Sequence, residues 1–143
     1  MSNAIFTLPE VLNDPNKMYE PGSKEREGLK KEIEKCYNEV RQIKMSINGK
    51  YVSSNEQIDI FPPHRNKHKI ATYYQGNDKH VDEAIETALA AREKWAAMPW
   101  EMRLSIFRKA ADLIAGPYRA KINAATMVGQ SKNAFQAEID AAS

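Results

Sequence analysis

The chain contains two stretches in which apolar residues recur at helical spacing, separated by a shorter stretch of alternating residues. In the first stretch the apolar positions are separated by steps of four, three, four and three residues: Leu29, Ile33, Cys36, Val40 and Ile43. Such steps place the side chains on one face of an α-helix. Ser23 precedes the run and is a favourable N-cap residue. The pattern therefore predicts an amphipathic helix over residues 23–45.

The residues before this helix show no sustained period. Pro9, Pro15, Pro21 and Gly22 interrupt any regular backbone pattern, because proline lacks the amide donor and glycine favours turns. Residues 1–22 are therefore predicted to form an extended N-terminal arm.

Residues 46–76 are predicted to form a small β layer. An Asn-Gly pair separates two short β-prone runs in MSINGKYV, and both of its residues tolerate positive φ, which favours a two-residue hairpin. A second alternating run is QIDIF, which ends at a Pro-Pro pair, and a third is KIATYY. We expect about three antiparallel strands with helices covering one face, because a layer of only three strands is unstable by itself.

Residues 77–143 carry the second helical stretch. Asp78 is a suitable N-cap for its first helix, and Pro99 separates this helix from a second one, which a Gly-Pro pair ends. A third helix is expected to end at Gly129, and the fourth has no C-cap, so we expect the chain to continue beyond Ser143. The positions predicted to face inward are Val81, Ile85, Ala88, Leu89, Trp95, Met102, Ile106, Ala110, Leu113, Ile122 and Ala125.

The composition is typical of a soluble protein. The 143 residues are 42% hydrophobic and 28% charged, and 21 basic against 19 acidic side chains leave a net charge of +2. This balance does not favour binding to nucleic acid or to an anionic membrane. No stretch reaches the roughly 20 apolar residues of a membrane-spanning helix. The single cysteine excludes an intrachain disulfide and suits a reducing compartment, so we predict a cytoplasmic location.

Few side chains are candidates for catalysis or for binding a cofactor or a metal ion. The six glycines never have the spacing of a phosphate-binding loop, so no cofactor-binding residue is predicted. His64 and His68 are four apart but follow two prolines, and we interpret them as solvated loop histidines rather than metal ligands. The basic run around them lacks the interleaved aromatic residues that favour nucleic acid. Cys36 lies in the apolar stripe without a neighbouring base, which indicates a small buried hydrophobe rather than a nucleophile.

Two further pairs of residues are candidates for a site. Trp95 and Trp100 flank the proline between two helices, where tryptophans typically fill a core or an interface. Glu138 and Asp140 are two apart, so on a helix they point to different faces and cannot form one acid–base pair. Spacing alone favours solvated carboxylates, although one of them could face a pocket that other segments complete. No catalytic residue is predicted within the chain.

The segment from Ile58 to Ile114 resembles the opening of an aldehyde dehydrogenase. It carries a strand ending in proline, a helix of the form Ala-Ile-x-x-Ala-x-x-Ala-x-x-x-Trp that reaches Trp95, and a helix with Arg103 that ends in Ala-Asp-Leu-Ile. Two further stretches, NDPNKMYEPGSKER and TMVGQSKNAFQAEIDAA, resemble the proline-catabolic branch, the Δ1-pyrroline-5-carboxylate (L-glutamate γ-semialdehyde) dehydrogenases. Where that branch usually has Gly-Gln-Gly-Lys, this chain has Ser131 in place of the second glycine.

The resemblance implies an α/β fold, locally α+β. This is the N-terminal part of the aldehyde dehydrogenase fold, with a small antiparallel β layer and packed helices beside a Rossmann-like domain mostly beyond this chain. The implied enzyme oxidises L-glutamate γ-semialdehyde to L-glutamate with NAD in proline degradation. Its catalytic cysteine and glutamate and its NAD-binding residues would lie beyond Ser143, so the chain alone is expected to be inactive. The implied partners are a small-molecule substrate and further copies of the intact enzyme, not nucleic acid or a membrane.

Glu138 is the residue to which the resemblance gives a role. It belongs to a Gln-Ala-Glu-Ile-Asp pattern that is implied to lie near the amino end of the substrate, where a carboxylate would select the ammonium group. The alternative hypothesis is a free-standing α+β interaction module that binds a partner through Trp95 and Trp100. A nucleic-acid adaptor that uses residues 64–69 is a third hypothesis.

Overall fold

The computed structural model describes Glu10 and residues 12–142. None of the helices in that part of the chain combines the length and apolar character that crossing a bilayer requires. The predicted arm over residues 1–22 lies partly outside the described residues, and residues 12–20 form neither helix nor strand. The elements, in chain order, are α1 Lys24–Asn38, β1 Arg41–Ile43, β2 Met45–Ile47, β3 Lys50–Val52, β4 Gln57–Ile60, β5 Ala71–Tyr74, α2 Asp78–Ala97, α3 Trp100–Ala115, α4 Arg119–Gln130, α5 Ala134–Ala137 and a π-helical turn Glu138–Ala142.

Helix α1 begins as predicted but ends earlier. The Ser23 hydroxyl accepts a hydrogen bond from the Arg26 amide at 3.3 Å, which satisfies one free donor of the first turn. The helix ends at Asn38, so the predicted helix over 23–45 is wrong in its last third. There Val40 and Ile43 keep the helical spacing, but the chain pairs with β5 instead. Their β-branched side chains favour an extended backbone, and strand pairing outweighs the local period.

The strands form two separate sheets rather than one antiparallel layer. The first has the order β1-β5-β4, with β1 parallel and β4 antiparallel to β5, and the second is the β2-β3 hairpin. The predicted hairpin is confirmed, because φ is 50° at Asn48 and 70° at Gly49. The predicted single layer is wrong. The predicted helix over residues 23–45 covers the residues that form β1, and the hairpin forms a sheet of its own. The partners in the β1-β5 pair lie some thirty residues apart, beyond the reach of local patterns.

Helices α2 and α3 form close to the predicted bounds but bury no residue. Asn77, not Asp78, caps α2, accepting from the His80 amide while His80 Nδ1 accepts from the Asn77 amide. Pro99 separates the two helices, as predicted, and is the N-cap of α3. The side of these helices that was predicted to face inward is largely open, with Leu89 59% exposed. That prediction is therefore wrong for the part of the molecule described.

Helix α4 packs against α1 and forms the main core with it. Its buried face contains Asn123, Ala124 and Val128, whereas Ala125, predicted to face inward, is exposed. The helix runs past Gly129 to Gln130, so that glycine does not end it. The buried hydrophobic cluster between α1, α4 and the N-terminal segment consists of Tyr19, Leu29, Cys36, Ala124 and Val128. This core supports the residues around Glu138.

Candidate functional site

Glu138 lies where α5 passes into the π-helical turn. Asn133 caps α5, accepting from the Gln136 amide at 2.9 Å, and Gln136 accepts from the Asn133 amide at 3.1 Å. This reciprocal capping fixes the start of a helix of only four residues. The turn then directs the Glu138 side chain toward α4, where it is 0% exposed. A fully buried carboxylate requires compensating donors.

Five hydrogen bonds surround the Glu138 carboxylate. Oε1 accepts from the Lys17 backbone amide at 2.7 Å and from Arg119 Nε at 2.9 Å, and Arg119 Nη2 forms a further ion pair with it. Oε2 accepts from the Tyr19 hydroxyl at 2.6 Å and from Asn123 Nδ2 at 2.6 Å. An ionised carboxylate offers about four acceptor positions. The acceptor capacity of Glu138 is therefore fully used.

Arg119 links this carboxylate to the N-terminal segment. Its side chain is 4% exposed and forms an ion pair with Asp14 through Nη1. Nη2 also donates to the Pro15 carbonyl at 2.9 Å, and Nη1 donates to the Ala115 carbonyl at 3.4 Å. One guanidinium thus bridges the carboxylate groups of Asp14 and Glu138, whose charges are opposite to its own. This pairing compensates for the burial of both Arg119 and Glu138.

The protonation states around Glu138 are well separated. Burial by itself raises the pKa of the Glu138 carboxyl, but the hydrogen bonds from Arg119, Tyr19 and the Lys17 amide outweigh it and lower that pKa to about 2. Burial, reinforced by the neighbouring Glu138, raises the pKa of the Tyr19 hydroxyl. At neutral pH Glu138 is a carboxylate and Tyr19 is a protonated donor.

Asn123 has one side-chain atom with no partner among the described residues. Its Nδ2 donates to the Tyr19 oxygen at 2.8 Å and to Glu138 Oε2 at 2.6 Å. This fixes the orientation of the amide, because turning it over would place two oxygens against each other. Asn123 Oδ1 is then a buried acceptor without a hydrogen bond. Such an acceptor is costly unless a donor reaches it.

The sequence and the fold identify the family of the chain. The sequence profile of the aldehyde dehydrogenase family matches residues 51–143. The chain belongs to the aldehyde dehydrogenase family. It is 42% identical over 140 residues to the Delta-1-pyrroline-5-carboxylate dehydrogenase of Agaricus bisporus, covering 97% of this chain and 26% of that protein. It is 38% identical over 133 residues to the human mitochondrial enzyme of the same name, covering 93% of this chain and 24% of that protein.

A solved structure extends this similarity to the fold. The Delta-pyrroline-5-carboxylate dehydrogenase of Mycobacterium tuberculosis, bound with NAD and cobalamin, superimposes with a TM-score of 0.95 at 38% identity, covering 99% of this chain and 27% of that one. The prediction that the chain has the fold of the N-terminal part of an aldehyde dehydrogenase is therefore confirmed. The chain spans about a quarter of the length of the relatives it matches.

The remaining sequence candidates of this aldehyde dehydrogenase chain lie away from Glu138. His64 bridges the Tyr37 hydroxyl at 2.6 Å and the Ser131 hydroxyl at 2.7 Å. His68 Nε2 donates to the Tyr37 carbonyl at 2.8 Å. Both histidines lie in a loop, as predicted, and His64 is exposed, but each also joins neighbouring segments through hydrogen bonds. Across the described residues no group of three His, Cys, Asp or Glu side chains is arranged to hold a metal ion.

The other candidates of the aldehyde dehydrogenase chain have separate places in the fold. Cys36 is a buried hydrophobe, as predicted, and burial raises the pKa of its thiol. Trp95 and Trp100 are 39% and 50% exposed, so neither fills a core within the described chain. Asp140 forms an exposed ion pair with Lys132 at 2.6 Å. The expectation of a solvated carboxylate is therefore correct for Asp140 and wrong for Glu138.

The sequence predicted Glu138 but missed the residues that hold it. Arg119 and Asn123 are four apart and share a face of α4, a spacing that could have indicated a polar pair within an apolar helix face. Tyr19 and Lys17 lie more than a hundred residues away from Glu138 along the chain. No local pattern connects them to it. The direct contact of Glu138 with substrate stays a prediction.

Proposed function

We propose that the chain is part of an NAD-dependent dehydrogenase that oxidises L-glutamate γ-semialdehyde, formed from Δ1-pyrroline-5-carboxylate, to L-glutamate in proline degradation. The observation that supports this most is the similarity to proteins named for this activity along almost the whole chain, at 38–42% identity. Fold similarity alone would not suffice, because one fold hosts many activities. Like its relatives, the intact enzyme would act on a small molecule.

We propose that the coenzyme site of the intact enzyme lies beyond this chain. The similar Mycobacterium tuberculosis structure is bound with NAD. When bound, the nicotinamide of NAD accepts a hydride. The described residues contain neither a Gly-rich phosphate loop nor a nucleophile with a neighbouring base, and Cys36 is buried. We therefore assign no catalytic or coenzyme-binding role within this chain. We expect those groups in the remainder of an intact enzyme.

The contribution we propose for this segment is substrate recognition through Glu138. Its carboxylate is ionised at neutral pH and rigidly held, which favours the ammonium group of the amino-acid semialdehyde over a plain aldehyde. Replacing Glu138 by Ala in the intact enzyme should therefore raise the KM for L-glutamate γ-semialdehyde. An unaltered KM and turnover would rule out this role.

The proposed activity can be tested directly with the intact protein. We expect NADH formation, followed by its absorbance, when L-glutamate γ-semialdehyde and NAD are supplied, and none from the 143-residue chain alone. Parallel assays with NADP define the coenzyme preference, and size measurement tests the proposed homo-oligomer. An intact protein that is folded, binds NAD and leaves the semialdehyde unchanged would contradict the proposal. The location in the cytoplasm also stays a proposal, since relatives from Emericella nidulans and human are named mitochondrial.

The exposed surface of α2 and α3 supports a second candidate function, a free-standing α+β interaction module. These helices bury no residue, and Trp100 at their junction is 50% exposed. Aromatic side chains in open positions commonly anchor partners. This candidate predicts that the 143-residue chain is stable and monodisperse without a partner. Self-association or aggregation would instead favour a segment of a larger enzyme.

A further inference from the structure

The segment Asp14–Tyr19, here called the strap, is held to the body of the molecule through the Glu138 site. Only Tyr19 among residues 12–20 is buried, and none of these residues forms a helix or strand. Besides the contacts to Arg119 and Glu138, the Tyr19 carbonyl accepts from Arg26 Nη1 at 3.3 Å. A segment with few buried groups and no regular hydrogen bonds opens at lower cost than a packed helix.

The donors around Glu138 fall into two classes. Arg119 and Asn123 belong to α4, which is packed against α1 through the main core, so they cannot leave without disrupting it. The other two, the Lys17 amide and the Tyr19 hydroxyl, belong to the strap. If the strap lifts, Glu138 Oε2 loses one of its two donors and gains a free acceptor position, whereas Oε1 keeps both of its bonds from Arg119. Asn123 Oδ1, which has no partner in the closed arrangement, lies on the same side-chain cluster.

Glu138 Oε2 and Asn123 Oδ1 would then offer two acceptors to a primary ammonium group, which carries three N–H bonds and no acceptor. We propose that the strap seals an ammonium-binding site formed by Glu138 and Asn123, and that the strap and the ammonium group of an amino-acid substrate exclude one another. This inference rests on the proposed function for the identity of the substrate. It adds Asn123 as a specificity-determining residue and gives the N-terminal segment a part in substrate binding.

Proteolysis tests the strap independently of turnover. Lys17 is exposed, and trypsin cleaves after it only when the segment can leave the body of the protein. In the intact enzyme, saturating L-glutamate, which carries the ammonium group, should increase the rate of cleavage after Lys17. Glutarate, the same dicarboxylate without the amino group, should leave the rate unchanged. Equal rates with both ligands, or protection by L-glutamate, would overturn the inference.

Kinetics of two variants of the intact enzyme provide the second test. Tyr19→Phe removes one hydrogen bond of the strap and keeps its ring, so the open form becomes more populated. We expect the KM for L-glutamate γ-semialdehyde to fall about two- to tenfold, with the KM for glutarate semialdehyde unchanged. Tyr37→Phe is the matched control, because its hydroxyl bonds to His64 outside the cluster, and it should change neither KM.

The opposite result for Tyr19→Phe is equally informative. A KM that rises, or that changes alike for both aldehydes, would show that Tyr19 only stabilises the fold, and the inference would be wrong. Asn123→Ala should raise the KM for the amino-bearing aldehyde roughly tenfold or more and leave the other aldehyde unaffected. If the wild-type intact protein does not oxidise the semialdehyde, the proposed function fails, while the trypsin result with L-glutamate still decides whether the strap releases.

Discussion

The α1–α4 side of the molecule and the α2–α3 side use their apolar residues in opposite ways. Between α1 and α4, Leu29 and Val128 are 4% and 2% exposed, and even polar groups are enclosed. On α2 and α3 no residue is buried, although both helices carry apolar side chains at helical spacing. Hydrophobic periodicity therefore shows that a helix face needs a packing partner. It does not show whether that partner is already in place.

The strongest way to break the α1–α4 side is to remove its buried cation. Arg119→Met keeps the aliphatic length but leaves the Glu138 carboxylate buried without its ion pair. We expect the free energy of unfolding to fall by about 3–5 kcal/mol, the usual cost of removing one partner from a buried pair. Urea unfolding followed by circular dichroism measures it. Lys132→Ala, which removes an exposed pair with Asp140, should cost less than about 0.5 kcal/mol; similar losses for both variants would contradict the assignment.

The same leucine substitution on the two sides compares their packing directly. Leu29→Ala creates a cavity in the α1–α4 core and should lower the free energy of unfolding by about 2–5 kcal/mol. Leu89→Ala, at a position that is 59% exposed, should change it by less than about 0.5 kcal/mol. Urea unfolding of the 143-residue chain measures both. A large loss from Leu89→Ala would show that α2 packs against a second copy in solution.

Acid should weaken the α1–α4 side through Glu138. Its folded pKa of about 2 lies below the ordinary value of 4.5, so its stabilisation is complete above about pH 4.5 and is lost as the pH falls toward 2. The shift corresponds to about 3 kcal/mol. Glu138→Gln should flatten the fall of the unfolding free energy between these pH values. Asp59→Asn is the comparison, because bonds from Lys69 and Thr72 also lower the pKa of Asp59 but water screens that exposed group.

The sequence predicted those features whose causes are local. The Asn-Gly hairpin, the capped start of α1 and the helical periods of α2 and α3 depend on residues a few positions apart, and all are present. The burial of Glu138 depends on Lys17 and Tyr19, more than a hundred residues away. The spacing rule that separated Glu138 from Asp140 gave their opposite directions correctly but could not tell which one would be enclosed. Long-range pairing decides that, and a single sequence does not contain it.

The smallest effect concerns Ser131, which ends α4 in the left-handed region with φ at 57°. A residue with a Cβ is strained there, while the hydroxyl gains a hydrogen bond from or to His64 at 2.7 Å. Ser131→Ala keeps the strain and loses the bond, whereas Ser131→Gly loses both. We therefore expect the free energy of unfolding of the Gly variant to exceed that of the Ala variant by about 1 kcal/mol. Ser105, inside α3, should show the reverse order, because alanine stabilises a helix interior by about 1 kcal/mol over glycine. The same order at both positions in urea unfolding would mean that Ser131 does not adopt the left-handed conformation.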